Sequence, residues 1–507
     1  MPETTEHVDV LIVGSGPAGS AYARTIGDAR PDARILVAEV GPRTSDAVGE
    51  HTINMTDDDR VVCQLAAQGP DTGVARPGIS LDSLASEGGK EPVPFIFPGL
   101  FPVGERARVD GEFGLPVACM SSGIGGMGVH WGGSSPQPTS TERIGIIPAA
   151  ELDAAYIRAE QLLRVSKDLH GDDDLLAELH DIIAAEFDAD APNGPRVEYM
   201  PVAVARDGDR LRTSGTSAIL GDLAARVPGF EIRPDTLVRR ILVERDTAVG
   251  AEVLNRATGA TYEIRADRVV VCADSLRTPQ LLFASGIRPR ALGHHLNDHL
   301  QMAALGRLRP ELVRPAPAGP LRTGSIRIPY IADVRPMQGQ VVALSRSGYQ
   351  LPIGDALAAF MSLDELVILP WYGAKDIQFS DAVTFSETQT DFYGMPALTI
   401  HYTLTDVDRR TIDLLRSNAE RSAKLVGELL APPELAPGGS SLHYQGTVRM
   451  GEADDGESVC DIDCRVWGVE HLYVGGNGVI PTSTACNPTL TNVAIAVRAA
   501  GHLANSL

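Results

Sequence analysis

The chain has 507 residues, 43% of them hydrophobic and 22% charged, which is an ordinary composition for a soluble globular protein and enough for two domains. A formal net charge of −22 disfavours binding to nucleic acid or to an anionic membrane surface. The opening residues are acidic, no apolar run is long enough to cross a bilayer, and the 6 cysteines are too sparse for a disulfide scaffold. We therefore expect a cytoplasmic protein with reduced thiols and no membrane segment.

The predicted elements begin with a strand, a glycine-rich turn, a helix and a second strand. Val8–Val13 and Arg34–Glu39 are short apolar runs rich in β-branched residues, and Gly14–Gly19 lies between the first run and a helical pattern. This order is that of a βαβ unit. Residues 41–116 carry many Pro, Gly and Asp residues without periodicity, so we expect an irregular segment that covers a surface or a site.

The rest of the chain mixes helical and strand patterns. Residues 300–405 alternate apolar and polar positions, which predicts an antiparallel sheet. The remaining predicted helices are Leu152–Glu186, Val407–Leu430 and Leu490–Leu503. The remaining predicted strands are Thr236–Val243, Val249–Asn255, Thr261–Ile264, Val269–Cys272 and His471–Val474.

The turn Gly14–Gly19 predicts a dinucleotide site. Gly14 permits the tight turn, Gly16 lets the backbone approach a pyrophosphate, and Gly19 lets helix and strand pack closely. The phosphates would lie on the helix N-terminus, whose free N–H groups favour an anion. Glu39 follows Gly19 by 20 residues, the spacing of a carboxylate that binds the adenosine ribose. These residues do not distinguish an FAD site from an NAD site.

Three further segments carry candidate chemistry. His130 lies in the glycine-rich string Gly125–Trp131, and Cys272–Ile287 has the pattern of a buried strand followed by a helix. His443 begins a His-x-x-Gly-Thr-x-x-Met-Gly string, and Asn487 begins an Asn-Pro-x-x-Thr string. Each segment alone also has a structural interpretation, with the histidines as core residues and Asn487 as a turn or cap residue.

Two groups of side chains have metal-ligating chemistry. His294, His295 and His299 lie close together in sequence, and Cys460 and Cys464 form a pair. No further ligands lie at matching spacing, so we favour structural roles for all five and predict no metal site.

Taken in order, these strings resemble the glucose-methanol-choline (GMC) oxidoreductases, and the resemblance extends from residue 8 to residue 503. Within the family the chain is most similar to the pyranose oxidase branch, through Gly125–Trp131, Asp391–Pro396 and Gly475–Thr482. That branch includes bacterial enzymes that oxidise glycosides, C-glycosides among them, at C3, and the chain resembles these enzymes most.

The resemblance implies an α/β fold of two domains. A Rossmann-like FAD-binding domain, as in the GMC and pyranose oxidase fold, would comprise residues 1–150, 227–300 and 440–507. A substrate-binding domain built on an antiparallel sheet with helices would comprise residues 151–226 and 301–439.

The resemblance also implies the site residues. His443 would be the general base, since a neutral imidazole can take the proton of a sugar hydroxyl, and Asn487 would donate a hydrogen bond to the same oxygen. Trp131, residues 371–396 and Ser345–Gly354 would wall the substrate pocket. The residues that would contact FAD are Gly14, Gly16, Pro17, Ala18, Gly19, Glu39, Gly126, Met127, His130, Trp131, Val238, Asn477, Gly478, Pro488 and Thr489.

Two positions bear on the chemistry that the resemblance implies. Gly132 stands where fungal pyranose 2-oxidases place a threonine beside the flavin, so oxidation at C2 is in doubt. His130 matches the histidine that is bonded to the flavin 8α-methyl group in pyranose and choline oxidases. The resemblance leaves this covalent link undecided.

The expected activity is FAD-dependent oxidation of a secondary hydroxyl of a pyranose sugar or glycoside, favoured at C3 and giving a 3-keto glycoside. Hydride would pass to flavin N5, and the electrons would then pass to O2, giving H2O2, or to a quinone-like acceptor. The alternatives are a pyranose 2-oxidase that acts on free sugars, a dehydrogenase with an acceptor other than O2, and a lyase of the same family whose FAD is redox-idle. The aglycone and the oligomeric state are not predicted.

Overall fold

The computed structural model describes residues 6–69, 99–103, 109–169, 173–208, 210–315, 325–346 and 362–507. The α-helices among them are α1 Pro17–Ala29, α2 Asp57–Ala67, α3 Ala149–Leu162, α4 Asp174–Phe187, α5 Thr216–Leu220, α6 Leu223–Arg226, α7 Arg277–Ala284, α8 Asp406–Val426 and α9 Thr489–Ala504. The strands among them are β1 Glu6–Val13, β2 Ile35–Ala38, β3 Phe101–Pro102, β4 Cys119–Met120, β5 Glu198–Tyr199, β6 Val204–Asp207, β7 Arg210–Thr213, β8 Phe230–Arg233, β9 Thr236–Glu244, β10 Thr247–Asn255, β11 Thr261–Val271, β12 Leu300–Ala303, β13 Leu305–Leu308, β14 Ser325–Ile328, β15 Met337–Ala343, β16 Leu366–Ile368, β17 Trp371–Gly373, β18 Ala382–Thr390, β19 Pro396–His401, β20 Gly427–Leu429, β21 Glu434–Leu435 and β22 Leu472–Val474.

The first sheet has the order β8-β2-β1-β11-β10-β9, with β22 paired to the second half of β11. Strands β1, β2, β8, β11 and β22 run parallel, and the second half of β1 (Val10–Val13) and all of β2 are continuously apolar, as in sheets covered by helices on both faces. Their carboxyl ends meet at one edge, where open α/β sheets bind ligands. The residues that follow four of these strands there are Gly14, Glu39, Cys272 and Gly475.

The second sheet has the order β20-β13-β16-β15-β17-β12-β21, with β14 on β15 and β5 on β14. The pairings described for it are all antiparallel, as the alternating pattern of residues 300–405 predicts. Helices α4 and α8 cover this sheet, and Trp371 of β17 is fully buried with its ring 5.6 Å from that of Phe187. The α/β fold with an antiparallel second sheet is confirmed, whereas the domain boundaries stay a prediction.

One predicted helix is divided in two, and another ends earlier than expected. The predicted helix Leu152–Glu186 is two helices, because Arg164 after α3 has φ 51° and Asp173 caps the start of α4 by accepting from Leu175 N and Leu176 N. The helix predicted to reach Leu430 ends at Val426. A Cβ on Gly427 would lie 1.8 Å from Arg307 O, so the chain there passes directly against the second sheet as strand β20.

Two other predictions missed regular structure. Residues 41–116 were expected to be irregular but contain α2, which Thr56 caps by accepting from Asp59 N and which has three aspartates in its first turn. The two short strands predicted within 261–272 are one strand, β11, since the residues between them, polar ones included, pair with β1, as in Arg265 opposite His7. No helix among the described ranges is long and apolar enough to cross a membrane.

Candidate active site

A cavity of about 770 Å³ lies at the carboxyl edge of the first sheet and reaches the second sheet at Gln301 and Tyr372. Most residues expected to bind a cofactor or substrate line it. These are Gly14, Gly16, Pro17, Ala18, Glu39, Gly126, Met127, His130, Trp131, Val238, His443, Asn477, Asn487 and Thr489. Gly19, Gly478 and Pro488 do not line the cavity; Gly19 packs against Gly14, Gly478 packs against Val448, and Pro488 precedes α9.

The glycine-rich turn leaves room beside the start of α1. Gly14 has φ +96°, and a Cβ there would lie 2.4 Å from Cys272 O. A Cβ on Gly19 would lie 1.9 Å from Gly14 O, so this glycine lets α1 approach β1. A Cβ on Gly16 would meet nothing closer than Gly125 O at 4.0 Å, although Gly16 lines the cavity. The space over Gly16, at a helix end with no side-chain cap, suits an anionic group such as a pyrophosphate.

Glu39 directly follows β2 and is a buried carboxylate. Its Oε2 accepts from Ser15 N at 3.1 Å and from Ser15 Oγ at 2.6 Å, and its Oε1 accepts from Gly41 N at 3.0 Å. Burial raises the pKa of this carboxyl, and these donors act in the opposite direction. The carboxylate is thus fixed beside the glycine-rich turn, where a ribose would lie.

Several buried polar atoms along the cavity have no hydrogen-bond partner among the described residues. Leaving such atoms unpaired costs about 1–3 kcal/mol each, so their concentration around one cavity indicates a polar ligand. They are His130 Nδ1, His130 Nε2, Gln301 Oε1, Asn477 Oδ1 and Asn492 Oδ1. Burial, with the nearby His51, lowers the pKa of His130 to about 3, so its ring is neutral. The glycine turn, the buried carboxylate and these atoms together fit FAD.

His443 is partly buried and contacts a second histidine. Its Nδ1 lies 3.1 Å from Nδ1 of His299, and Nε2 of His299 lies 3.4 Å from Thr484 Oγ1. Burial lowers the pKa of His443 to about 4 and lowers that of His299 well below its usual range. Both rings are therefore neutral near pH 7.

Asp298 holds the backbone at His443. Its carboxylate accepts from His443 N at 3.2 Å, from Gly439 N at 3.1 Å and from the Ser441 hydroxyl. Burial raises the pKa of Asp298 to about 6, against the effect of these donors. The turn at residues 438–441, just before His443, is thus tied to the residue next to His299.

Asn487 presents its amide to the cavity just before α9. Its Oδ1 accepts from Gln338 Nε2 at 3.1 Å and from Gln340 Nε2 at 3.4 Å, both on β15. The oxygen is therefore taken by two donors from the second sheet. The amide N–H groups are the part of this side chain left to donate to a ligand.

The predicted pocket wall is described in part. Trp131 lines the cavity and donates from Nε1 to Ser214 O at 2.8 Å, and Gly132 lines it next to Trp131. Residues 371–396 contribute Tyr372, Tyr393 and Met395. The predicted wall Ser345–Gly354 lies mostly outside the described residues, which end at residue 346 and resume at residue 362.

The three neighbouring histidines do not converge. His294 Nδ1 lies 2.7 Å from Phe379 O, His295 lies 3.4 Å from Glu457, and His299 contacts His443. Among the described residues, no group of three or more His, Cys, Asp or Glu is arranged to hold a metal ion. Cys460 and Cys464 are buried free thiols.

Sequence reasoning missed several residues at the cavity or directly behind it, namely Asp298, His299, Gln301, Gln338 and Gln340. The signal for His299 was present in the histidine group, although its partner lies far away in sequence. The alternation of Gln338 and Gln340 on one strand places both on one face but does not name Asn487 as their acceptor.

Comparisons with known proteins agree with this architecture. Two family models described as GMC oxidoreductase match residues 176–301 and 382–496. A C-glycoside 3-oxidase of Microbacterium trichothecenolyticum is 44% identical over 99% of this chain and 97% of its own length. A second C-glycoside 3-oxidase, of Arthrobacter globiformis, is 43% identical over 99% of this chain and 95% of its own.

More distant relatives share the fold. A pyranose 2-oxidase of Tricholoma matsutake is 28% identical over 98% of this chain and 94% of its own length. A crystal structure of formate oxidase superposes with a TM-score of 0.67 at 14% identity, covering 99% of this chain and 98% of that chain. Pyridoxine 4-oxidase from Mesorbium loti gives a TM-score of 0.61 at 18% identity, covering 98% of this chain and 99% of that chain.

Proposed function

This chain belongs to the GMC oxidoreductase family, and we propose that it is a glycoside oxidase that converts the C3 hydroxyl of a pyranose ring to a ketone. The cofactor is FAD. The observation that carries the proposal is that His443 and Asn487 line the same cavity as the glycine-rich turn and Glu39. An acceptor for the hydroxyl proton, a donor to the hydroxyl oxygen and a dinucleotide site therefore open onto one space.

The cofactor would be held by the residues of the first sheet. The end of α1 at Gly16 would take the pyrophosphate, Glu39 the ribose hydroxyls, and Val238, Asn477 and Thr489 would line the rest of the site. FAD, when bound, supplies the acceptor for the hydride that leaves the substrate carbon. The unpartnered ring nitrogens of His130 are compatible with covalent and with non-covalent FAD, and the proposal leaves this choice open.

The substrate hydroxyl would be handled by His443 and Asn487. His443 Nε2 has no hydrogen-bond partner among the described residues, while Nδ1 faces His299, so Nε2 is the nitrogen free to take the hydroxyl proton. Asn487 N–H would hold the same oxygen. Loss of this proton and of the hydride from carbon turns the alcohol into a ketone, and Gln301 Oε1 can accept from a second ring hydroxyl.

Two similarities support a glycoside as substrate and C3 as the position. Two relatives above 40% identity, which match almost the whole chain, are named C-glycoside 3-oxidases, whereas the pyranose 2-oxidase of Tricholoma matsutake is 28% identical. Gly132 also leaves the wall of the cavity without a side chain next to Trp131.

We propose O2 as the electron acceptor, giving H2O2, and a cytoplasmic location. The oligomeric state is left open.

The test is anaerobic bleaching of the purified yellow protein by an aryl C-glucoside and, separately, by glucose. Rapid bleaching by the glucoside with little by glucose is expected, and NMR of the product should show a carbonyl at C3. Faster bleaching by glucose with a C2 carbonyl would instead make the protein a pyranose 2-oxidase. An absence of bleaching with both sugars would refute the proposal and favour a redox-idle FAD. Reoxidation in air with stoichiometric H2O2 tests the acceptor.

A further inference from the structure

We propose that Arg327 and Gln338 are positioning residues that fix which end of the Asn487 amide faces the substrate. They form a line of hydrogen bonds, from Arg327 to Gln338 to Asn487, that begins in the second sheet and ends in the cavity. The proposal rests on the role of Asn487 in the proposed function. It adds that hydrogen bonds from the second sheet fix the orientation of the Asn487 amide.

The pairing of β14 with β15 places these side chains together. Arg327 lies opposite Gln340 in the register, and Gln338 and Gln340 are two residues apart and so project from the same face of β15. Arg327 and Gln338 are 2% and 0% exposed. Neither side chain can therefore exchange its hydrogen bonds for bulk water.

Arg327 sets the direction of the line because a guanidinium only donates. Its Nε donates to Gln338 Oε1 at 2.7 Å, one terminal nitrogen donates to Gln137 O at 3.0 Å, and the other pairs with Glu198 at 2.8 Å. Gln338 must therefore turn its oxygen toward Arg327. Its amide nitrogen is left to face Asn487.

Gln338, with its own orientation fixed, in turn fixes the orientation of the Asn487 amide. Its Nε2 donates to Asn487 Oδ1 at 3.1 Å, and Gln340 Nε2 lies 3.4 Å from the same oxygen. A reversed Asn487 would place its own N–H groups against the N–H group of Gln338, which Arg327 holds in place, and this is unfavourable in a buried site. The N–H groups of Asn487 therefore point away from β15, toward the cavity that this residue lines.

Arg327 does not act on the substrate through its charge. Glu198 neutralises it at the edge of the sheet, with 45% of its side chain exposed. Arg327 acts instead as a buried group that can only donate hydrogen bonds, and it lies behind the amides of Gln338 and Asn487. An amide without such an anchor can reverse and offer an oxygen where the alcohol needs a donor.

The decisive variant is Gln338→Glu, studied as the FAD-loaded protein. A carboxylate there accepts from Arg327 with one oxygen and presents the other to Asn487, so the Asn487 amide reverses. The rate constant of anaerobic flavin reduction by the aryl C-glucoside should fall about 100-fold, the size typical of losing one donor to a reacting oxygen. FAD content and the thermal midpoint should stay close to those of the wild type.

The control variant is Glu198→Gln. The rate constant of its flavin reduction should lie within about threefold of the wild-type value, because Arg327 still only donates hydrogen bonds.

A double-mutant cycle separates orientation from general support. In the Asn487→Ala background, Gln338→Glu should change the rate less than about threefold, since there is no amide left to orient. If the two losses multiply instead, Gln338 acts structurally and the proposal is overturned. An unchanged rate for Gln338→Glu in the wild-type background overturns it as well.

A second pair of variants keeps the test decisive if Gln338→Glu does not fold. Arg327→Lys retains a donor-only cation and should keep more activity than Arg327→Met, which frees Gln338 to reverse. Equal rates for these two variants would overturn the proposal. If the wild type is reduced by neither sugar, the proposed function itself fails, and the positioning role fails with it.

Discussion

The Nδ1 atoms of His443 and His299 lie 3.1 Å apart, so one of these two neutral rings must donate and the other accept. Thr484 Oγ1, beside His299 Nε2, receives a donor from Gln445 Nε2 at 3.0 Å and has room to accept from His299 as well. With the proton of His299 on Nε2, His443 carries its own proton on Nδ1. Its Nε2 then keeps the lone pair that a base needs.

This pairing predicts that His299 controls the tautomer of His443. Replacing His299 with Leu removes the acceptor, and flavin reduction should fall roughly 10- to 100-fold, as when an orienting partner of a functional histidine is lost. His299→Asn places an amide oxygen near the former Nδ1 and should retain more of the rate. Stopped-flow reduction measures both. Equal rates for Leu and Asn would show that the ring contributes only packing.

His443→Ala should slow flavin reduction by about 10²–10⁴-fold while FAD stays bound, because the base is removed and the dinucleotide site is not touched. The matched control is His294→Ala, since His294 stacks on Phe379 at 4.0 Å and does not line the cavity. Absorbance at the flavin maximum reports FAD content. A His443→Ala protein that is reduced at the wild-type rate would exclude this base.

Gly16→Ala and Gly19→Ala should separate cofactor binding from folding. The added methyl group of Gly16→Ala enters open space beside α1, so the protein should fold but hold less FAD. The methyl group of Gly19→Ala would lie 1.9 Å from Gly14 O, so this variant should be less stable than the wild type even without FAD. Circular dichroism and FAD titration distinguish the two. Full FAD content in Gly16→Ala would mean that no phosphate approaches this residue.

His51 should contribute to the pH dependence of stability. Burial lowers its pKa to about 4, and its neutral ring both accepts from Ile53 N and contacts Trp131 O. Between pH 6.5 and pH 4 the unfolded chain binds a proton that the folded chain does not, so stability falls as the pH falls. The loss between pH 7 and pH 5 should be smaller by about 2 kcal/mol in His51→Gln.

Urea unfolding of both proteins at the two pH values measures this difference. Buried acids whose pKa is raised, such as Asp298, act with the opposite sign but are common to both proteins and cancel. An identical pH dependence in wild type and variant would mean that His51 does not stay neutral in the folded protein.

Lys375 should be essential for stability. Its Nζ lies 2.9 Å from Asp381 and 2.9 Å from Asp408, and all three side chains are fully buried. Lys375→Met leaves two buried carboxylates without a cation and should cost about 3–5 kcal/mol of unfolding free energy. The control Arg416→Met breaks an exposed pair on α8 and should cost less than about 1 kcal/mol. Similar losses for both variants would contradict the buried-ion argument.

The first half of the dinucleotide site could be predicted from the sequence because its determinants are local. The turn Gly14–Gly19 and Glu39 follow consecutive strands, and parallel pairing of those strands brings them to one edge. The proposed catalytic pair could not be predicted in this way. His443 and Asn487 were named only through a family resemblance, since nothing in their own spacing places them at a shared cavity.

The side chains behind that pair could not be predicted, because each acts through a partner from another part of the chain. His299 meets His443 across 144 positions, and Gln338 meets Asn487 across 149. Strand alternation shows which face a residue occupies but not what lies opposite. Helix α2 was missed for a simpler reason: it exposes Val61 and Val62 instead of presenting a clean apolar stripe.

The order of strands in the first sheet has a consequence for how the protein is made. Strand β1 and helix α1 emerge from the ribosome early, yet β11 and α9, which cover them, are synthesised much later. The nascent chain must therefore keep the apolar surface of β1 and α1 out of non-native contacts until residues 472–504 have been translated. We therefore expect cofactor capture to follow the translation of this segment, and we expect a chain truncated before β22 to accumulate as a chaperone-bound or aggregated species rather than as an empty enzyme.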